Sequence, residues 1–436
     1  MSSSIYQRRL QSVASHSTGR SIAIVLVILF MVVSGLSLNN EATNSLKWTR
    51  VILLLLAGIW TTKWIKLPKR GDLSASFSVF VLVFVVAGLW SDLPGSAISR
   101  KCLLLFSVFL GFGAARMISR DRDFQFFSRA MIVSSVICYL WILEKSADQA
   151  GGYFEDLINA KGQLWVANFN PNLVGSFAAP IFLASLFVMY FDTSKFWKTI
   201  SLLCLIFSLI IIVFSGGRTA VLVAITGLIP LTALRLARYS PKVRWSIISV
   251  LTITISLLYL VYAENRSLGT PTGNSGIAPG VELRLIHKEG IFQDTRSSVW
   301  AKAYDKFQEA PILGHGWFHL NKKWATVQSA YLQVLVEAGL LGAALFLAFL
   351  VKVPQDIFRA WKNENLYDQL CAIFLAALLV HGLTESSLVL GTSPHSFFLA
   401  FTVCRLDIRR QDLRGTVPPV HLRHRRRKFR SRKPEE

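Results

Sequence analysis

The sequence predicts an all-α polytopic membrane protein with about 12 transmembrane helices and one large polar loop that carries short amphipathic helices. Three observations carry this prediction. Hydrophobic residues make up 53% of the 436 residues, and the mean hydropathy is +0.46. The apolar residues gather in repeated runs of about 18 to 20, the length that a helix needs to cross a bilayer. The Lys and Arg residues lie mainly between these runs, and more of them fall on one side of the predicted membrane than on the other.

Twelve apolar runs are candidate spans. In chain order they are Ser21–Leu38 and residues 50–65, 73–90, 102–118, 124–143, 172–191, 197–214, 219–237, 245–262, 329–351, 367–390 and 394–406. The last run is short. The first run is longer than the usual hydrophobic region of a signal peptide, and no clear small-residue cleavage site follows it. We therefore expect it to remain as a span.

The distribution of basic residues sets the predicted topology. When the N-terminus is placed in the cytoplasm, the inside segments hold 31 Lys and Arg residues and the outside segments hold 15. Cytoplasmic loops of membrane proteins carry such an excess. The count predicts a cytoplasmic N-terminus (1–20), nine spans within 21–262, a periplasmic loop (263–328), three spans within 329–406, and a basic cytoplasmic tail (407–436).

The formal net charge of +22 has the same explanation. Its largest contribution comes from the tail, which we expect to anchor the topology and to contact anionic membrane lipids. We expect no nucleic-acid partner. The five cysteines lie in or beside apolar runs without CxxC spacing, so we expect no disulfide and no metal site. No cofactor is expected either.

Among the predicted spans that direct their N-termini toward the outer surface, three follow the outer segments that carry candidate residues, beginning near Asn172, Arg218 and Ser329. The N-terminus of a helix carries unpaired N–H groups and the positive end of the helix dipole, which together favour phosphate. If these ends converge, they form a seat for pyrophosphate. The topology alone does not establish that they converge.

Arg218 follows Ser215-Gly216-Gly217 and heads a predicted span. Paired glycines allow a tight turn, and a guanidinium group at the head of a helix presents a fork of donors that matches phosphate oxygens. The alternative is an interfacial arginine that reaches toward lipid headgroups. An arginine at an outer helix end is less expected from topology, which favours the functional interpretation.

A short amphipathic helix is predicted within the outer loop, capped by Asp294 or Thr295 and ended by Pro311. Its predicted apolar side consists of Trp300, Ala303, Tyr304 and Phe307. Arg296 precedes Trp300 by one helical turn and could reach an anion at headgroup level while Trp300 sits in the membrane interface. A solvated charge on an exposed face is the alternative for Arg296.

Four further residues are weaker candidates. Arg284 lies near His287 and Lys288 in the outer loop, and Asn172 can cap the span that it begins. His381 and Glu385 stand four apart, which places them on one face of the eleventh span near its outer end. Ionisable groups within a membrane are costly and often functional, but a buried polar contact between helices explains the pair equally well.

These features resemble the O-antigen ligase and O-antigen polymerase superfamily of bacterial inner-membrane glycosyltransferases. The motifs that carry the resemblance occur in the order SGGRTA (215–220), R-x-x-x-W at Arg296 and Trp300, PILGHG (311–316) and YLQVLVEAGLLG (331–342). The topology, with about a dozen spans and one large late periplasmic loop, is similar over most of the chain.

The resemblance implies a multi-pass protein of the bacterial inner membrane that uses an undecaprenyl-pyrophosphate-linked glycan as donor and a glycan or lipid hydroxyl as acceptor. It implies reaction on the periplasmic side, with inversion, and without a nucleotide sugar or a required metal. Arg218 and Arg296 are the residues implied to bind the pyrophosphate. Polysaccharide-assembly proteins are further candidate partners.

One position departs from the family pattern. Ligases of this family have a histidine three residues before the tyrosine of the YLQ element, as the proposed base for the acceptor hydroxyl, and here that position is Gln328. An amide cannot act as a general base near neutral pH. Either Gln328 orients the acceptor only, or another group takes the proton. His315, in a Gly-His-Gly loop expected to be flexible, is the first substitute; His319 and Glu385 are the others.

The candidate residues divide into two groups. The catalytic candidates are Arg218, Arg296, His315 and Gln328, and the substrate-binding candidates are Arg284, Asn172, Trp300, His319, His381 and Glu385. The departure at Gln328 leaves polymerase or exopolysaccharide-type transfer at least as well supported as ligation. Two other classes stay open: a transporter or flippase of lipid-linked glycans, and a non-catalytic membrane protein of polysaccharide assembly.

Overall fold

The computed structural model describes residues 24–34, 36, 44–62, 68–69, 72–91, 94–118, 121–149, 171–214, 218–236, 297–316, 327–362, 365–389 and 393–416. Every regular element within these residues is a helix. In chain order they are α1 (Ile24–Ser34), α2 (Asn44–Thr61), α3 (Leu73–Val86) with a 3-10 turn at Ala87–Trp90, α4 (Pro94–Met117), α5 (Asp121–Gln149), α6 (Pro171–Phe191), α7 (Lys195–Phe214), α8 (Arg218–Leu236), α9 (Ser297–Glu309), α10 (Ala330–Lys362), α11 (Leu366–Thr384) with a 3-10 turn at Ser386–Val389, and α12 (Pro394–Thr416).

Eight stretches are long and apolar enough to cross a membrane. They are Leu73–Trp90, Ala97–Met117, Asp123–Ile142, Val174–Phe191, Lys195–Ile212, Thr219–Leu236, Ala330–Lys362 and Leu366–Thr384. Within the described residues, the prediction of an all-α protein with several membrane-spanning helices is therefore confirmed. The predicted spans 50–65 and 394–406 overlap α2 and α12, which are not among these eight stretches, and α1 covers only part of 21–38. The predicted span 245–262 and most of the predicted loop 263–328 lie outside the described residues. The total of 12 spans stays a prediction.

The chain divides into two compact units. The first contains Met1–Ser34, Asn44–Phe127 and Arg296–Glu436, and the second contains Gly35–Thr43 and Ser128–Thr295. The candidate residues are distributed over both. Arg218 belongs to the second unit, whereas Trp300, His315 and Gln328 belong to the first.

The core of the first unit is aromatic. Phe80 lies 4.7 Å from Phe346 between ring centroids, and Phe77 lies 5.1 Å from Phe349, so α3 and α10 are joined by pairs of tilted rings. Helix α4 approaches α12 closely at Gly111, where a Cβ atom would stand 2.7 Å from the backbone oxygen of Phe397. Small residues at such crossings let membrane helices pack backbone to backbone.

The two ends of the first unit carry different polar groups. At one end, the Asp407 carboxylate in α12 accepts hydrogen bonds from the backbone N–H groups of Leu73 (3.1 Å) and Ser74 (2.5 Å), which caps the start of α3. Lys352 donates to Ser76 at the same end. The opposite end, where α3 finishes and α4 and α10 begin, is the end that the charge count predicts to face the periplasm.

The second unit packs α6 against α7 and α8. Its main polar contact is a bidentate pair in which Arg129 donates to both carboxylate oxygens of Asp192 at 2.8 Å. Burial acts to raise the pKa of Asp192, but the hydrogen bonds from Arg129 and Ser194 outweigh it and hold the pKa below its ordinary value. The pair therefore stabilises the unit at neutral pH and loses that contribution as the pH falls through the lowered pKa.

Candidate functional site

The 311–316 segment, which carries the sequence PILGHG, docks on a break in α10. The break lies at Gly339, whose backbone angles (φ 59°, ψ −159°) are not helical. A break in a helix releases backbone N–H and C=O groups from their intrahelical partners, and such groups are costly in apolar surroundings unless they are bonded again.

The 311–316 segment supplies those partners. Four backbone hydrogen bonds join the 311–316 segment to residues 336–341 of α10. They are His315 N to Val336 O (2.9 Å), Gly316 N to Glu337 O (2.9 Å), Leu340 N to Pro311 O (2.8 Å) and Leu341 N to Ile312 O (3.2 Å). The carbonyls before the break accept from the segment, and the amides after the break donate to it. Two motifs that are separate in the sequence are thus two halves of one structure.

Glycine is required at three positions where the 311–316 segment contacts its neighbours. Gly314 (φ 72°), Gly316 (φ 74°) and Gly339 (φ 59°) all have left-handed backbone angles. A Cβ atom would stand 2.5 Å from the Glu337 carbonyl carbon at Gly314, 2.6 Å from the Ala87 oxygen at Gly316, and 2.4 Å from the Ile312 oxygen at Gly339. A side chain at Gly314 or Gly339 would therefore push the segment off α10, and one at Gly316 would push it off the 3-10 turn at Ala87–Trp90.

Gly339→Ala should lower the thermal stability of the protein in detergent clearly below that of the wild type. The backbone angles of Gly339 lie in a region that essentially only glycine adopts; another residue there costs about 1–3 kcal/mol, and the overlap with Ile312 adds to this cost. Gly95→Ala is the matched control, because no atom lies within 4 Å of a Cβ at Gly95 and alanine favours the helix there. Equal melting temperatures for Gly339→Ala and Gly95→Ala would show that glycine is not required at position 339.

Helix α9 packs on the start of α10 through an apolar cluster. Ala303, Val327 and Val336 form its buried centre, and Trp300 and Phe307 cover it. The predicted apolar side is therefore confirmed at Trp300, Ala303 and Phe307. Tyr304 is a correction: it is 52% exposed, because it lies at the edge of this face, about 100° around the helix from the fully buried Ala303.

Trp300 packs inside this cluster, so the structure gives the indole a packing role beside any role at the membrane interface. The indole nitrogen is buried and has no hydrogen-bond partner among the described residues. Its role in substrate binding stays a prediction. The capping residues Asp294 and Thr295, and Arg296 itself, lie outside the described residues, while α9 begins at Ser297 and ends before Pro311 as expected.

His315 is held at both its backbone and its side chain. Its ring nitrogen Nε2 lies 2.7 Å from the carbonyl oxygen of Lys306 in α9, and its amide donates to Val336. The expectation of a flexible Gly-His-Gly loop is therefore wrong: the two glycines serve close packing. Whether His315 acts as a base stays a prediction.

Gln328 has an unusual backbone conformation, with φ of 55° in a residue that is not glycine. Such angles occur in few non-glycine residues and persist where the surroundings enforce them. The residues on both sides are fixed. Val327 donates its N–H to the side chain of Gln333 (2.9 Å), and the Ser329 carbonyl accepts the first hydrogen bond of α10, from Gln333 N (2.9 Å). The side chain of Gln328 is half-buried.

Lys101, Glu337 and Gln333 form a buried polar network next to the 311–316 segment and the start of α10. Lys101 Nζ lies 3.1 Å from Glu337 Oε2 and donates to the carbonyl oxygens of Phe84 (2.8 Å) and Gly316 (2.6 Å). Gln333 Nε2 donates to Glu337 Oε1. Sequence reasoning missed all three side chains, although Gln333 and Glu337 stand four apart within an apolar run, where polar residues usually have a purpose.

His381 and Glu385 do not form the predicted pair on one helical face. Helix α11 ends at Thr384, and Glu385 follows in extended conformation (φ −141°, ψ 138°), so the helical spacing does not continue to it. His381 is fully buried. Its Nδ1 lies 3.1 Å from Ser387 Oγ, and its ring stacks on His395 at 4.3 Å. These contacts favour the alternative, a buried polar contact between helices.

The remaining candidates are placed only in part. Arg218 is the first residue of α8, as predicted, but the structure describes only its backbone. Asn172 is the second residue of α6 and therefore does not cap it; Pro171 occupies the first position, where proline is favoured. Arg284 and His319 lie outside the described residues.

Comparison with known families supports the resemblance. Residues 203–347, about a third of the chain, match the family model described as O-antigen ligase. The match begins in α7, passes through Arg218 and the 311–316 segment, and ends in α10. It confirms the predicted resemblance to the O-antigen ligase superfamily over this range, and it supports a membrane glycan ligase or polymerase in general. No curated protein matches the chain significantly.

Proposed function

From the O-antigen ligase match we propose that the protein is a glycosyltransferase of the bacterial inner membrane. It moves or polymerises an undecaprenyl-pyrophosphate-linked glycan onto an acceptor hydroxyl at the periplasmic face. The match over 203–347 is the observation that carries the proposal, because it contains Arg218, Arg296, His315 and Gln328, the four catalytic candidates. Ligation of O-antigen and polymerisation of O-antigen or exopolysaccharide are the versions of this reaction that the proposal includes.

Arg218 and Arg296 bind the donor pyrophosphate in this proposal. Arg218 is the first residue of α8, and Arg296 directly precedes in sequence the first residue of α9, Ser297; backbone N–H groups and the helix dipole at a helix start also favour phosphate. When the anomeric C–O bond breaks, the electron pair stays with the lipid pyrophosphate. Two guanidinium groups stabilise that charge most strongly where water is excluded.

The acceptor oxygen attacks the anomeric carbon from the opposite face, which inverts the configuration. Its proton passes to a base, for which His315 is the first candidate and Glu385 the second. Gln328 orients the acceptor hydroxyl through its amide. Its enforced backbone angle supports this assignment, since strained residues concentrate at functional sites.

Analysis of surface glycans in a deletion strain tests the proposal. A strain that lacks a ligase should accumulate the polymer on its lipid carrier and lose it from the acceptor. Loss of a polymerase should leave single repeat units in place of long chains. Surface glycans of unchanged length and linkage would contradict the proposal.

Reporter fusions test the topology on which the mechanism depends. A fusion at residue 275 should be active only with the periplasmic reporter, and one at residue 415 only with the cytoplasmic reporter, because of the distribution of 31 against 15 basic residues. A cytoplasmic signal at 275 would place the proposed site on the wrong side of the membrane.

A further inference from the structure

We propose that Lys101, Glu337 and Gln333 form a positioning network that fixes Gln328 and the 311–316 segment for glycan transfer. The inference rests on the proposed function for its catalytic consequence, and on contacts within the first unit for its structural part. None of the three side chains is assigned a contact with substrate.

The network connects two points of the backbone, Gly316 and Val327, that are eleven residues apart in sequence. It runs from the carbonyl of Gly316 to Lys101, then to Glu337, then to Gln333, and ends at the N–H of Val327. Gly316 ends the docked segment, and Val327 immediately precedes Gln328. Three side chains thus tie the end of one motif to the residue before the candidate acceptor site.

The hydrogen bonds allow only one arrangement of donors and acceptors. Lys101 can only donate, so the carboxylate of Glu337 must accept from it. The Gln333 amide must then direct its NH2 group toward Glu337, which leaves Oε1 to accept from the Val327 N–H. Reversing the amide would place two oxygens together and two donors together. The network therefore sets the position of Val327 without ambiguity.

Lys101 has no donor left over for a substrate. An ammonium group has three N–H donors, and Lys101 has three oxygen partners, on Phe84, Gly316 and Glu337. Its side chain is only 4% exposed, and the Glu337 side chain is equally buried. Lys101 is therefore a positioning residue and not a further pyrophosphate ligand.

The burial of the Lys101–Glu337 ion pair is poorly explained by a contribution to stability alone. Replacing a buried ion pair by apolar residues of similar volume is often neutral or stabilising, whereas removing one partner is strongly destabilising. Stability alone would be served as well by apolar side chains between α4 and α10. What apolar side chains cannot supply is a fixed hydrogen bond to Gly316 and another to Val327, and that is the property we assign to the network.

Gln333→Met tests the inference, because methionine has a similar volume and neither hydrogen bond. Gln369→Met is the matched control: Gln369 is also a buried helical glutamine of the first unit, and it donates to the backbone oxygen of Trp361. The first measurement is hydrogen exchange at the Val327 amide in the full-length protein. Exchange should be at least tenfold faster than in the wild type in Gln333→Met and unchanged in Gln369→Met.

The second measurement is transfer by the same proteins in lipid vesicles, with donor and acceptor titrated separately. In Gln333→Met, kcat/KM for the acceptor should fall at least tenfold, while KM for the lipid-linked donor stays within about twofold. The double variant Lys101→Met/Glu337→Gln, which leaves no buried charge behind, should show the same acceptor defect. A purely structural role would lower activity only in proportion to the folded fraction.

Two outcomes would overturn the inference: wild-type exchange at Val327 in Gln333→Met, or an acceptor defect no larger than that of Gln369→Met. A wild-type protein without any transfer would instead refute the proposed function. In that case, exchange at Val327 still decides whether the network holds this part of the backbone.

Discussion

Arg218→Ala and Arg296→Ala should each lower glycan transfer about 30- to 1000-fold while the protein remains folded and inserted in the membrane. Each substitution removes a cation that the leaving pyrophosphate needs. Loss of one charge-assisted contact in a partly desolvated site raises the activation free energy by about 2–4 kcal/mol, which corresponds to this range of rates. The measurement is the initial rate of transfer by purified variants in vesicles.

Two comparisons separate this role from a general effect of charge. Lysine at position 218 or 296 should restore transfer only in part, since it lacks the bidentate fork of arginine. Arg359→Ala removes an arginine that is 46% exposed and pairs with Asp356 in the last turn of α10, and it should leave transfer unchanged. Near-normal transfer by both Arg218→Ala and Arg296→Ala would make these ordinary interfacial arginines.

His315→Ala should lower transfer at least tenfold, because general base catalysis typically contributes about 10²–10⁴-fold. Positive charge builds on the sugar before the attacking oxygen becomes acidic, so a base displaced from position 328 can suffice. Gln328→Ala should have a milder effect, seen mainly in acceptor use. Gln328→His should be tolerated or should improve transfer.

The contact between His315 and Lys306 requires one more variant. Because Nε2 of His315 lies 2.7 Å from the Lys306 carbonyl, His315→Ala also removes a packing contact with α9. His315→Gln can keep a donor to that carbonyl but cannot act as a base. Activity in His315→Gln together with loss in His315→Ala would assign a structural role. Full activity in His315→Ala and Glu385→Gln, with an inactive Gln328→Ala, would show that Gln328 positions the acceptor unaided and that no displaced base is needed.

Local patterns predicted the helices well. The apolar run that follows Gly217 predicts a helix at 219–237, and α8 occupies Arg218–Leu236. The 3.6-residue period of Trp300, Ala303 and Phe307 predicts α9 and the face that it buries. Such features depend on residues within a few turns of one another, so the sequence contains the information directly.

Pairings between distant segments could not be predicted in this way. Gly339 lies in an apolar run that is compatible with an unbroken helix, and only the 311–316 segment, which bonds across it, makes the break favourable. Lys101 directly precedes the predicted span 102–118, so the charge count places it in an outer loop; its partner Glu337 is more than two hundred residues away in the sequence. Periodicity identifies the face of a helix but not what that face meets.

Sequence patterns predict helix ends less well for a related reason. The apolar run that ends at residue 390 conceals the extended residue Glu385, since side-chain hydropathy does not report backbone angles. The same limit applied to Gln328, whose left-handed conformation has no signal in its residue type. Proline was the clearer guide: Pro171 begins α6, and Pro311 follows the end of α9.

Reconstitution tests the central claim most directly. Purified protein in vesicles would be given an undecaprenyl-pyrophosphate-linked glycan and a hydroxyl acceptor, with a chelator present. The account predicts a covalent glycan–acceptor product, release of one lipid pyrophosphate for each bond formed, and loss of both in Arg218→Ala. Movement of the intact lipid-linked glycan across the bilayer, with no covalent product, would contradict the account and identify a flippase.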